Sequence, residues 1–159
     1  MAEGDAELLD LYRDVLLDYF RSTSHKGKLP EAELRAVGAN PLCGDECELD
    51  VALDGETIEK IRTAGHGCVI SQSSVAMLAE ILEGKTLSQA VESTDAFKRM
   101  MTGKLDPAAL PEDLEETRAL EGVRRFPVRI KCALLAWNTF LEGVKAHQAG
   151  RKATAYQEA

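Results

Sequence analysis

Cys43, Asp45, Cys68 and Cys132 are the side chains of this sequence best suited to chemistry. Cys43 and Asp45 flank Gly44 in Asn-Pro-Leu-Cys-Gly-Asp, Cys68 closes Gly-His-Gly-Cys, and Cys132 lies in Arg-Ile-Lys-Cys-Ala. Three thiols and one carboxylate match, in number and type, the donors of a tetrahedral zinc centre. Mixed sulfur and oxygen ligation is unusual where zinc only staples a fold, since Cys and His dominate such sites. The set therefore points to a metal centre that also takes part in chemistry. The plain alternative is that the cysteines, Cys47 included, are small buried hydrophobes.

The elements that must carry these residues are legible in outline. Residues 5–21 read as an amphipathic helix, with Leu9, Tyr12, Leu16 and Tyr19 at helical spacing. A short strand is expected within residues 32–39. Leu49, Val51 and Leu53 alternate with Glu48, Asp50 and Ala52 as in a half-buried strand, and Asp54-Gly55 suits a type I′ hairpin turn leading to a returning strand over 57–63. Gly65 and Gly67 break that pattern just before Cys68. A helix over 71–83 carries an apolar stripe of Val75, Leu78, Ala79 and Leu82, with Gly84 as its stop. One or two short helices are expected over 86–101, a connection over 102–113 and a short helix over 115–122. Pro127 opens a last long helix to about His147, and the tail from Gln148 reads as polar and frayed.

On that last helix Ile130, Leu134, Trp137, Leu141 and Val144 form one stripe, and Cys132 projects about 160–180° from its middle. A cysteine used only as filler belongs on the stripe, so this one is assigned to a site. Cys68 stands just ahead of a helix start, where the backbone dipole favours a thiolate. Cys47 shares strand parity with Leu49 and Val51 and reads as packed, with a spare thiol near the site as the alternative. His66 reads as an exposed histidine, or else a fifth donor. Arg124, Arg125, Arg129 and Lys131 crowd eight residues, and Arg129 and Lys131 fall in a first helical turn, where the macrodipole disfavours cations. A zinc centre of three thiolates and one carboxylate carries formal charge −2 and would reverse that preference. A solvated basic face is the alternative for Arg124 and Arg125.

Length and composition limit the function classes. The chain has 159 residues, enough for one domain (1–159) with a real core, and only 5% aromatics, so that core is aliphatic. Nineteen Lys+Arg against 27 Asp+Glu give a net charge of −8, which argues against non-specific nucleic-acid binding. No apolar run approaches a membrane span, and the acidic start lacks the basic-then-apolar order of a signal peptide. Cytoplasmic placement is expected, where thiols bind metal or react rather than pair.

Asn-Pro-Leu-Cys-Gly-Asp, Gly-His-Gly-Cys-Val-Ile-Ser and Phe-Pro-Val-Arg-Ile-Lys-Cys-Ala together resemble the U-type iron–sulfur assembly proteins, from about residue 5 to residue 147. Within them the chain is most similar to the SufU branch rather than the IscU scaffold branch. Lys131 stands where the scaffold branch carries a histidine ligand, and the stretch around 98–122 is lengthened. The resemblance implies an α+β, SufE/NifU-like single domain with a small antiparallel three-stranded sheet packed by helices. It implies zinc held by Cys43, Asp45, Cys68 and Cys132. Cys43 would accept sulfane sulfur from a PLP-dependent cysteine desulfurase of the SufS type, and Arg129 would position the site or the partner. A downstream SUF scaffold or thiol acceptor would take the sulfur on. Docking of the desulfurase would place a histidine in the zinc shell and free Cys43. Cys47 and His66 depart from the family pattern.

Three readings are open. The first is a zinc-dependent sulfurtransferase, the second an iron–sulfur cluster scaffold of the IscU type, and the third a binding module stapled by zinc. A shell filled by three thiolates and a carboxylate leaves no vacant water position, which argues against zinc hydrolysis.

Overall fold

The computed structural model describes residues 3–158, with side chains from Leu11 onward, so the side chain of Leu9 in the first apolar stripe and the terminal residues 1, 2 and 159 lie outside the description. Four helices and four strands follow in the order α1 (Glu3–Arg21), β1 (Leu34–Asn40), β2 (Asp45–Asp54), β3 (Thr57–His66), α2 (Val69–Leu82), α3 (Leu87–Met101), α4 (Pro127–Gln148) and β4 (Ala153–Gln157). Two 3₁₀ segments, Pro107–Ala109 and Glu112–Arg125, bridge α3 to α4.

The sheet order is β3-β2-β1-β4. β1, β2 and β3 are antiparallel neighbours, and β4 runs parallel to β1. This corrects the expectation of three antiparallel strands and a frayed tail. After α4 the chain reverses at Gly150, at φ +81°, and residues 153–157 lie along β1. Arg35 N donates to Lys152 O at 2.8 Å and Glu158 N to Ala39 O at 2.9 Å, while Thr154 and Tyr156 turn inward on alternate positions. The signal was a two-residue alternation over five residues with polar flanks, too short to outweigh the terminal composition.

The β2–β3 connection also differs from expectation. Its two loop residues are Gly55 and Glu56, since Asp54 pairs with Thr57. Gly55 has φ +61° and no described non-glycine residue has positive φ, so this is not the type I′ turn, which needs both central positions positive. β3 runs on through Gly65 to His66 instead of breaking there. Residues 87–101 form one helix, opened by a Thr86–Gln89 capping box.

α4 is central. It packs on α2, α3, the long 3₁₀ segment and one face of the sheet. Because it is covered on several sides, residues 132–137 are all buried, and the single stripe inferred from periodicity understates its burial. Gly38 of β1 permits this approach: a Cβ there would lie 1.9 Å from Thr139 Oγ1 of α4. Trp137 stacks on Phe97 with ring centroids 4.5 Å apart, and its Nε1 donates to Ser74 Oγ at 2.9 Å. Among the described residues no helix is long and apolar enough to cross a membrane.

Candidate metal centre

The end of the sheet where β1 passes to β2 meets the N-terminal ends of α2 and α4. The four-residue loop 41–44 carries Cys43. Its backbone is folded onto Asn40, whose carbonyl accepts from Cys43 N at 3.2 Å and Gly44 N at 2.9 Å. Gly44 adopts φ +73°, a conformation glycine reaches without Cβ strain. The loop leaves the Cys43 side chain exposed. Asp45, the first residue of β2, is only 1% exposed.

Cys68 is the N-cap of α2. Its backbone N donates to Asp45 Oδ1 at 3.1 Å, and its Sγ accepts from Ser71 N at 3.4 Å. Gly67 allows this close packing, since a Cβ there would sit 2.5 Å from Asp45 Oδ1 and 2.8 Å from Ser71 Oγ. Cys132, 1% exposed, looks from α4 toward the sheet end, with Val128 O at 3.8 Å and Asn40 Nδ2 at 3.9 Å from its Sγ. Opposite the expected stripe therefore means facing this sheet end, not solvent.

Ligand atoms of Cys43, Asp45 and Cys132 all lie within 4.8 Å of one another. Cys68 adjoins the trio through its backbone bond to Asp45, while its sulfur is engaged at the α2 N-terminus. The neighbourhood is electrically demanding without a cation. Burial pushes the Cys132 thiol well above the ordinary thiol range, and the adjoining Asp45, Cys43 and Cys68 push the same way. Asp45 Oδ2 is buried with no hydrogen-bond partner. A carboxylate oxygen is not left so without cost, and a divalent cation would satisfy it. Two thiols and a carboxylate within reach of one point, with a third thiol adjoining, fit zinc.

The other singled-out residues fall elsewhere. Cys47 is buried in the core with Sγ 3.6 Å from Thr139 Oγ1, and burial pushes its thiol up to about 11. His66 pairs across the sheet with Glu46, its Nε2 3.1 Å from Glu46 Oε2. That pair lies on the strand face opposite to Asp45 and Cys47, away from the thiols. Arg129 is exposed and lines a groove of about 1060 Å³ together with Arg118, Arg124, Arg125, Ile70 and Phe126. Arg124 turns back to Glu121 O at 3.1 Å. Asn40, Gly67 and Ser71 also shape the centre; each stands inside a motif quoted above, but only contacts across the chain reveal their parts.

The profile of the NifU-like N-terminal domain matches residues 11–154, nearly the whole chain. This chain belongs to the NifU-like N-terminal domain family. Two of its relatives carry different kinds of name. The zinc-dependent sulfurtransferase SufU of Bacillus subtilis (strain 168) is 36% identical over 146 residues, covering 92% of this chain and 97% of that protein. The iron–sulfur cluster assembly scaffold protein IscU of Streptococcus pyogenes serotype M1 is 39% identical over 140 residues, covering 88% and 86%. Among solved structures, FiSufU of Fervidobacterium islandicum AW-1, described as an iron–sulfur cluster assembly scaffold protein for the SUF system, superposes with TM-score 0.74 at 33% identity, covering 82% of this chain and 94% of that one.

Proposed function

We propose that this protein is a zinc-dependent sulfurtransferase of iron–sulfur cluster assembly, acting in the cytoplasm on sulfur supplied by a PLP-dependent cysteine desulfurase. The observation that carries this reading is the asymmetry of the centre: Cys43 is exposed on a loop, while Asp45 and Cys132, within 4.8 Å of it, are buried. Such a set can hold an ion from below and release its outermost sulfur. Cys43, Asp45, Cys68 and Cys132 would hold zinc, which keeps thiols deprotonated without redox chemistry of its own. The B. subtilis relative, named zinc-dependent, supports that assignment.

The transfer needs no external oxidant or reductant. The Cys43 thiolate attacks the outer sulfur of the donor persulfide. A new S–S bond forms on Cys43 as the donor's S–S bond breaks, and the donor cysteine leaves as thiolate, which the attacking thiolate's charge balances. Asp45 and Cys132 stay in place below, and the 41–44 loop supplies the movement. Arg129, at the rim of the arginine-lined groove beside α4, is suited to orient an acidic partner surface.

The test is desulfurase turnover with and without the protein, paired with metal analysis. Wild type should contain zinc and raise turnover, and Cys43→Ala should return turnover to the basal rate; full stimulation by that variant would end the proposal. The scaffold reading is favoured by the S. pyogenes relative. It requires a brown protein after anaerobic reconstitution and transfer of the cluster to an apo-acceptor.

A further inference from the structure

Asn40 occupies a buried, inward-facing strand position, where an apolar residue is the usual occupant. β1 turns Leu34, Ala36, Gly38 and Asn40 inward in succession, and the Asn40 side chain is 1% exposed. A buried amide costs stability unless its polar atoms are engaged. Three contacts engage this residue, each with a different part of the metal centre. Its carbonyl accepts the Cys43 and Gly44 amides, and its Cα is paired with that of Asp45 in the β1–β2 register. Its side-chain Nδ2 points at Cys132 Sγ from 3.9 Å. One residue thus joins the loop of Cys43, the strand of Asp45 and the helix of Cys132.

We propose that Asn40 is a positioning residue whose amide N–H donates to the Cys132 sulfur and fixes it as the anchored thiolate of the centre. This rests on the reading that the centre holds zinc. A neutral donor suits the task, because it offsets thiolate charge without being a cation that would compete with the metal. The contact should shorten as the thiol becomes a thiolate, since charge-assisted bonds are shorter and stronger. Donation to the sulfur draws electron density away from it, so Cys132 becomes a less reactive ligand. The division of labour follows: Cys132 is held and Cys43 is the sulfur that moves. Partners of metal-bound groups typically contribute about 10–100-fold in metal affinity.

Two measurements test this. In ¹¹³Cd-substituted wild-type protein, a proton–cadmium correlation should show a cross-peak from the Asn40 side-chain amide, transmitted through the Cys132 sulfur. Its absence overturns the proposal, and this measurement needs no variant to fold. In parallel, zinc retention against a competing chelator is compared for wild type, Asn40→Leu and Asn40→Asp, with melting curves of the metal-free proteins. Leu keeps the bulk, and Asp keeps the shape but replaces the donor with an acceptor. Both should lose zinc about 10–100-fold more readily. The loss should exceed anything their metal-free melting temperatures account for. Wild-type retention in either variant overturns the role of Asn40 while leaving the zinc reading standing. Failure of wild type to retain zinc or cadmium overturns both.

Discussion

Asp45 carries a double burden: one oxygen caps the approach of Cys68 and the other is buried without a partner. Asp45→Asn keeps the first contact and lets the second atom donate to a neighbouring sulfur. In the metal-free state this variant should be at least as stable as wild type, because a buried unmet acceptor costs about 1–3 kcal/mol. The order should reverse when zinc is added, since the amide is the poorer ligand. Thermal melts with and without chelator check both signs. Cys47 gives a pH prediction. Burial raises its thiol from an ordinary value near 9 to about 11, so the folded state holds that proton more tightly than the unfolded chain. Its stabilising contribution is complete below about pH 9 and is lost as pH rises through about 11. Two pK units correspond to about 2–3 kcal/mol. Cys47→Ala should flatten that part of the alkaline decline in denaturant melts, leaving the part due to other groups.

At the scale of elements, the centre depends on how closely α4 lies on β1. Gly38→Ala sets a methyl 1.9 Å from Thr139 Oγ1, so the Thr139 side chain or α4 itself must shift, and overpacking of this kind costs about 1–3 kcal/mol. Thr139→Ala should recover part of that loss, and a double-mutant cycle in urea would show the coupling; additive effects would count against the packing argument. The same helix shows where sequence reasoning succeeds and stops. Its start at Pro127 follows from local chemistry, and so does the β2 strand with its alternating Leu49 and Val51. Neither the all-round burial of α4 nor the pairing of β4 with β1 follows that way, because both arise from neighbours distant in the chain. Cys43, Asp45 and Cys132 could be singled out by type and motif. The bond from Cys68 N to Asp45 and the tie from Asn40 to Cys132 could not, since they depend on register and helix approach.

Across the whole molecule, charge is unevenly spread. A chain of net charge −8 gathers Arg118, Arg124, Arg125 and Arg129 around one groove, where they outnumber Asp106 and Glu121, and Phe126 in its lining is 59% exposed. That arrangement suits an acidic partner surface with an apolar anchor, which electrostatic steering would bring in faster at low salt. Arg129→Glu should raise the concentration of this protein needed for half-maximal stimulation of the desulfurase, most at low ionic strength, with maximal stimulation largely kept. Equal behaviour of variant and wild type across a salt series would remove Arg129 from the partner surface.

In the proposed transfer, Cys43 is the sulfur that leaves the centre and takes up cargo. The most direct measurement is mass analysis of the zinc-loaded protein after a single turnover with desulfurase and cysteine, with each thiol-bearing peptide read separately. One added sulfur on the Cys43 peptide, with Cys68, Cys132 and Cys47 unchanged, is the predicted result. Sulfur on Cys47 instead, or on none of the four, would contradict it.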